Sequence, residues 1–169
     1  MTPIALRPTT PADLDFVLAI EHRPDNQTLI GRWTRDEHLA VMARGEARHV
    51  VIDSAGTALG YLIAFDVRAH GYGFYVKRIA VNEVGRGTGR VALAQFAAAA
   101  WTEGAALVSL AVRTHNERAQ RCYRAVGFET WSLDETAWAG FLARVDASAA
   151  GCLIMRRLRD PFDSAQEPQ

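Results

Sequence analysis

The chain has 169 residues, 49% of them apolar and 22% charged, enough for a sizeable core and within the ordinary range for a globular protein. Its 19 basic and 19 acidic residues cancel, which gives no support for a nucleic-acid partner or a polybasic membrane surface. No apolar run approaches the ~18 residues of a membrane span, Met1-Thr2-Pro3-Ile4 lacks the features of a signal peptide, and Cys122 and Cys152 fit neither a zinc spacing nor a disulfide framework, so a cytoplasmic protein without metal is expected.

Ile4-Ala5-Leu6-Arg7 reads as a first strand. Thr10-Pro11-Ala12-Asp13 opens a helix, with Thr10 as N-cap, Pro11 at N1, Asp13 at N3, and Leu14, Val17 and Leu18 on the apolar face. Glu21-His22-Arg23-Pro24-Asp25 ends it and reads as a solvated loop, the other reading being the border of a binding site. Thr34-Arg35-Asp36-Glu37 is a capping box for a second helix that runs to about Ala43. Trp33, beside that cap, serves either as a hydrophobic staple or as a pocket wall. His49 to Asp53 and Ala58 to Val67 read as two strands joined by the hairpin signal Ser54-Ala55-Gly56-Thr57.

The most informative stretch runs from Phe74 to Trp101. Phe74 to Val81, reached through the connection Arg68-Ala69-His70-Gly71-Tyr72-Gly73, is an apolar, β-branched run that reads as a buried strand antiparallel to the one before it. Val84-Gly85-Arg86-Gly87-Thr88-Gly89 follows, and then a helix with Leu93, Phe96, Ala97, Ala100 and Trp101 on one face, capped by Gly104. A strand, a glycine turn and a helix N-terminus make an anion site, because the first helical N–H groups lack intrahelical partners and the macrodipole is positive there. Arg86 and Arg90 add charge for phosphate. A P-loop is excluded by the missing Lys-Ser or Lys-Thr pair, and the glycine spacing is wrong for a dinucleotide fingerprint.

Leu107 to Val112 is an apolar strand; reached through a helix, it is expected parallel to the Phe74 strand with a right-handed crossover. Asn116 begins a helix that Gly127 closes, and Phe128 to Trp131 and Cys152 to Leu158 read as further strands. Between them, Asp134 to Val145 in the Ala-rich segment 132–151 reads as a helix. Residues 1–159 are expected to form one domain and 160–169 a frayed polar tail. The order of elements gives an α+β domain on a mixed sheet.

The run ending Ile79-Ala80-Val81 and followed by Arg86-Gly87-Thr88-Gly89-Arg90 resembles the acetyl-CoA loop of the GNAT superfamily of N-acetyltransferases, whose pattern [QR]-x-x-G-x-[GA] falls on Val84 to Gly89 with Val84 in the polar position. Asn116 to Phe128 is similar to the family's N-x-x-A-x-x-x-Y-x-x-x-G-F, about 30 residues further on. The resemblance implies a mostly antiparallel sheet whose two central parallel strands splay, with pantetheine between them. It implies acetyl-CoA as co-substrate, held by the backbone of Ile79, Ala80 and Val81, by Arg86, Gly87, Thr88, Gly89 and Arg90, and by Asn116, Ala119 and Tyr123. The acceptor would be a small-molecule amine or a peptide N-terminus. Ile4 to Leu14 resembles the branch that includes ribosomal-protein N-terminal acetyltransferases, and homodimers are frequent in the family.

Acetyl transfer needs a neutral amine, a polarised carbonyl and a proton for the leaving thiolate. Tyr123, with an ordinary phenol pKa near ~10 against ~8.5 for a thiol, suits the last task, and the family uses the matching Tyr as general acid. Cys122 beside it points about 100° round the helix and reads as core. A Lys-like amine costs about 4.6 kcal/mol to deprotonate at pH 7, an α-amine about 1–1.4 kcal/mol. Many relatives carry a Glu as base where this chain has Tyr75, which leaves Asp66, His70 and Glu83 as candidates. Two other readings stand beside the enzyme: a regulatory module that binds acyl-CoA without catalysis, and a nucleotide-binding module.

Overall fold

The computed structural model describes residues 3–160, so the tail expected after residue 160 lies outside the described residues. Seven strands form one mixed sheet: β1 (Ala5–Pro8), β2 (Ala47–Ser54), β3 (Thr57–Asp66), β4 (Phe74–Val81), β5 (Leu107–Arg113), β6 (Glu129–Thr130) and β7 (Cys152–Leu158), in the order β1-β2-β3-β4-β5-β7-β6. Every neighbouring pair is antiparallel except β4 and β5, which run parallel as their helical crossover requires. The helices are α1 (Leu14–Glu21), α2 (Arg35–Met42), α3 (Thr88–Thr102), α4 (Glu117–Ala125) and α5 (Glu135–Arg144). The expected helix over 134–145 is α5, with Asp134 as its N-cap.

Local chemistry sets most boundaries. Thr34 and Glu37 form the reciprocal capping box that starts α2. The Asn116 side chain accepts from the Ala119 amide and starts α4, and Gly104 and Gly127, both at positive φ, close α3 and α4. The Thr10 helix start is a single 3-10 turn, Pro11–Asp13, before α1.

Two irregularities place the site. Pairing between β4 and β5 covers only Phe74 to Val76 opposite Val108 to Leu110, and beyond that the strands part. Their close start depends on Gly73, since a Cβ there would lie 1.9 Å from the Leu107 carbonyl oxygen. Second, β4 bulges against β3: Ile63 pairs with Arg78 and Ala64 with Val76, which leaves Lys77 without a partner. Phe74, Val76 and Ile79 therefore face the large core under α3, with Leu93, Phe96, Ala97 and Trp101. Ala80 packs on the opposite face with Val17, Ile20 and Val41 of α1 and α2, and Tyr75 packs there with Phe141 of α5. The bulge turns both Lys77 and Arg78 to that opposite face, where their partners are Asp146 and Glu21.

Candidate active site

A cleft of about 690 Å³ opens where β4 and β5 part. It is lined by Tyr75 to Val81, Leu110 to Arg113, the turn 83–90 and the inner side of α4. The splay is what makes it: β4 is buried from Phe74 to Val76 and only partly buried from Ile79 to Val81. From Lys77 onward the β5-facing edge of β4 has no ladder partner, so its backbone is available to an extended ligand.

The turn after β4 gives the cleft an anion-binding mouth. Gly87 is the N-cap of α3 at φ 76°, and no side chain caps the helix. The first amide to find an intrahelical acceptor is Val91, bonded to the Gly87 carbonyl, so the amides of Thr88, Gly89 and Arg90 are left for a ligand. Arg90, Arg118 and Arg121 line the same mouth, as does Arg86, which pairs with Glu83 at 2.7 Å. Val84 stands 46% exposed where a polar residue was the expected pattern. An uncapped helix start flanked by arginines fits a pyrophosphate, and a backbone edge leading inward from it fits the amide-bearing arm of a pantetheine.

Of the residues expected to bind cofactor, Ile79, Ala80, Val81, Arg86, Gly87, Thr88, Gly89, Arg90, Asn116, Ala119 and Tyr123 all line this cleft. Tyr123 is half-buried on α4, packed against the main core, with its ring 6.2 Å from that of Phe128. Its hydroxyl makes no hydrogen bond to another described residue. Burial, with Cys122 as neighbour, pushes the Tyr123 hydroxyl above the ordinary phenol range. Cys122 also lines the cleft instead of lying in the core, and burial raises its pKa, so the thiol stays protonated.

Asp66 and His70 are not brought to the cleft. Asp66 pairs with Phe74 at the start of β4, whereas the strands part at the other end. Its carboxylate is bound to Arg68 at 2.6 Å, which lowers its pKa further. His70 is exposed on the 3-10 turn Arg68–His70. Glu83 does line the cleft, at its anion-binding mouth.

At and behind the far end of the cleft lie residues that sequence reasoning passed over. Glu21, expected in a solvated loop, is fully buried. It accepts from Tyr61 Oη and Arg78 Nη1, both at 2.7 Å, and from the Trp33 amide at 3.0 Å, with His38 Nε2 at 3.3 Å. Burial alone would raise its pKa, but His38, Arg78, the Trp33 amide and Tyr61 outweigh it and bring the carboxyl down to about 2. Trp33 lies under the Arg78 guanidinium, 3.8 Å from ring centroid to the guanidinium carbon. Asp146 is the counterpart on the other side, bonded to Tyr75, Lys77 and Ser148. Tyr75, at the position of the missing Glu, thus spends its hydroxyl on a structural carboxylate.

Residues 14–128 match the Acetyltransferase (GNAT) family, more than half of the chain. The chain belongs to the GNAT family of acetyltransferases. This GNAT protein matches no curated protein, but its fold is shared with solved structures. AAC(6')-Ib, an aminoglycoside acetyltransferase determined with paromomycin and acetyl-CoA, superposes with a TM-score of 0.74 at 18% identity, covering 98% of this chain and 99% of that one. The spermidine N-acetyltransferase of Vibrio cholerae, determined with CoA and spermine, gives 0.67 at 17% identity over 76% and 82% of the two chains. Ard1 of Thermoplasma volcanium gives 0.68 at 21% identity over 92% and 97%. At these identities the likeness concerns the fold. No helix among the described residues of the GNAT chain is long and apolar enough to cross a membrane, and no group of three metal-ligating side chains occurs among them.

Proposed function

We propose that this protein is an acetyl-CoA-dependent N-acetyltransferase that moves the acetyl group to a primary amine by direct attack in a ternary complex. The observation that carries the reading is the Tyr123 hydroxyl, unbonded to any other described residue, in the cleft that begins at the uncapped start of α3. The Thr88, Gly89 and Arg90 amides hold the pyrophosphate, the free edge of β4 pairs with pantetheine, and the thioester lies between β4 and Tyr123. The amine nitrogen attacks the thioester carbonyl, the C–S bond breaks, Tyr123 gives its proton to the departing sulfur, and the proton that the nitrogen sheds as it becomes the amide returns to Tyr123 through water.

No side chain of the cleft acts as base in this reading. Asp66 and His70 lie outside it, Glu83 is engaged by Arg86, and Asp146 already accepts four hydrogen bonds, from Tyr75, Lys77, the Ser148 amide and the Ser148 hydroxyl. The acceptor loses its proton to water before it attacks. Accordingly kcat/KM rises with unit slope toward the amine's own pKa, and neither Asp66→Asn nor His70→Ala changes the profile.

The test is thiol release from acetyl-CoA against α-amino peptides, amino acids, polyamines and aminoglycosides, with an acceptor-free control. Release above control with one amine class supports the reading. Tight acetyl-CoA binding with no release for any class points instead to a regulatory acyl-CoA module.

A further inference from the structure

Of the two carboxylates at and behind the inner end of the cleft, Asp146 is saturated, and Glu21 is fully buried and does not line it. A carboxylate has about four acceptor positions. Glu21, fully buried, accepts from Tyr61, Arg78 and the Trp33 amide, and the positions of Asp146 are met by Tyr75, Lys77 and both donors of Ser148. Neither offers an accessible position to an incoming ammonium group.

The donors there are not saturated. Lys77 Nζ gives two of its three N–H groups, to Asp146 at 2.6 Å and to Ser148 Oγ at 2.7 Å. Arg78, only 5% exposed and part of the cleft wall, gives Nη1 to Glu21, while its buried Nε has no partner. Its Nη2 makes no hydrogen bond among the described residues and sits against Gly31, another wall residue, where a Cβ would come within 2.8 Å of it. The bulge in β4 is what brings two successive cationic side chains to one face. The third N–H of Lys77 and the Nη2 of Arg78 are the donors left for an acceptor-rich ligand. A polycation meets two cations already paired with carboxylates, and no carboxylate position open to it.

We propose that the inner end of the cleft recognises a carboxylate on the acceptor, through the third N–H of Lys77 and the Nη2 of Arg78, so that the substrate class is an amine carrying its own carboxylate, as amino acids do. This rests on the transferase reading, and it separates the protein from the solved relatives determined with aminoglycoside and spermine.

The test measures binding, so that it does not depend on turnover. Isothermal titration onto CoA-loaded protein compares N-acetylglycine, N-acetyl-L-alanine, N-acetyl-L-phenylalanine, N-acetyl-L-glutamate and N-acetyl-β-alanine with their carboxamides, and with N-acetylspermidine. At least one acid should bind on the order of tenfold to a hundredfold more tightly than its amide, the range of a charge-assisted hydrogen-bond pair. Lys77→Met should shrink that ratio below about threefold, and Lys77→Arg should restore it. Amides binding as well as acids throughout, no acid binding at all, or N-acetylspermidine binding best would overturn the proposal, and each can be read on the unmutated protein. Failure of CoA itself to bind would sink the transferase reading instead, and the same comparison without CoA then judges the carboxylate preference alone.

Discussion

Tyr123 must keep its proton until the thiolate leaves. A phenol in water already does so at neutral pH, and burial beside Cys122 holds this one further up. Its packing against the core and the ring of Phe128 fixes the hydroxyl without using it in any other bond. Tyr123→Phe should therefore lower kcat by roughly ten- to a thousandfold while leaving the KM for acetyl-CoA within about threefold. A variant with unchanged kcat would mean that solvent protonates the thiolate. The residue was identifiable because the spacing from Asn116 to Phe128 is local. The fate of Tyr75 was not, since its partner, Asp146, is 71 residues away.

At the scale of elements, the start of α3 depends on backbone conformation more than on side chains. Gly87 sits at φ 76°, where an L side chain costs about 1–2 kcal/mol. Gly87→Ala should relax the turn, and recovering the binding geometry should weaken acetyl-CoA by roughly 5- to 30-fold in a direct titration. An unchanged affinity would show that the helix start is not the anion site. This element was legible in the sequence, as were the cap at Asn116 and the parallel relation of β4 and β5, because glycine turns, caps and crossovers follow from neighbouring residues. The bulge at Lys77 was not legible. The run Phe74 to Val81 reads as a regular strand, and only the register against β3 shows that Lys77 and Arg78 share a face.

Across the whole molecule, one buried polar chain ties the helices on one face to the sheet. Thr9 Oγ1 lies 2.8 Å from His49 Nδ1, His49 Nε2 lies 3.0 Å from His38 Nδ1, and His38 reaches Glu21, which holds Arg78. A single tautomer set runs the donors in one direction, from the Thr9 hydroxyl through His49 to His38. Burial and neighbouring His38 bring the His49 pKa down to about 4 from its ordinary 6.5. A depressed folded pKa favours the neutral ring in the native state, so this stabilisation is complete above pH 6.5 and is lost as the pH falls toward 4. Urea unfolding should show ΔG dropping by about 3 kcal/mol between those limits. Glu21, depressed from 4.5 to about 2, adds a further loss only below pH 4.5. A flat ΔG from pH 6.5 to 4 would contradict the buried neutral His49. Composition and strand pattern could not reveal this chain, since Thr9, His49, His38 and Glu21 come from separate segments and each reads alone as a surface residue. The same distance in sequence hid the two carboxylates at and behind the inner end of the cleft.

The central claim is that the gap between β4 and β5 receives acetyl-CoA with its sulfur at Tyr123. A crystal structure of the protein with CoA tests it most directly. The account predicts the pyrophosphate on the Thr88, Gly89 and Arg90 amides, pantetheine along the free edge of β4, and the sulfur within hydrogen-bonding reach of the Tyr123 hydroxyl. CoA bound outside the gap, or with its sulfur turned away from Tyr123, would contradict it.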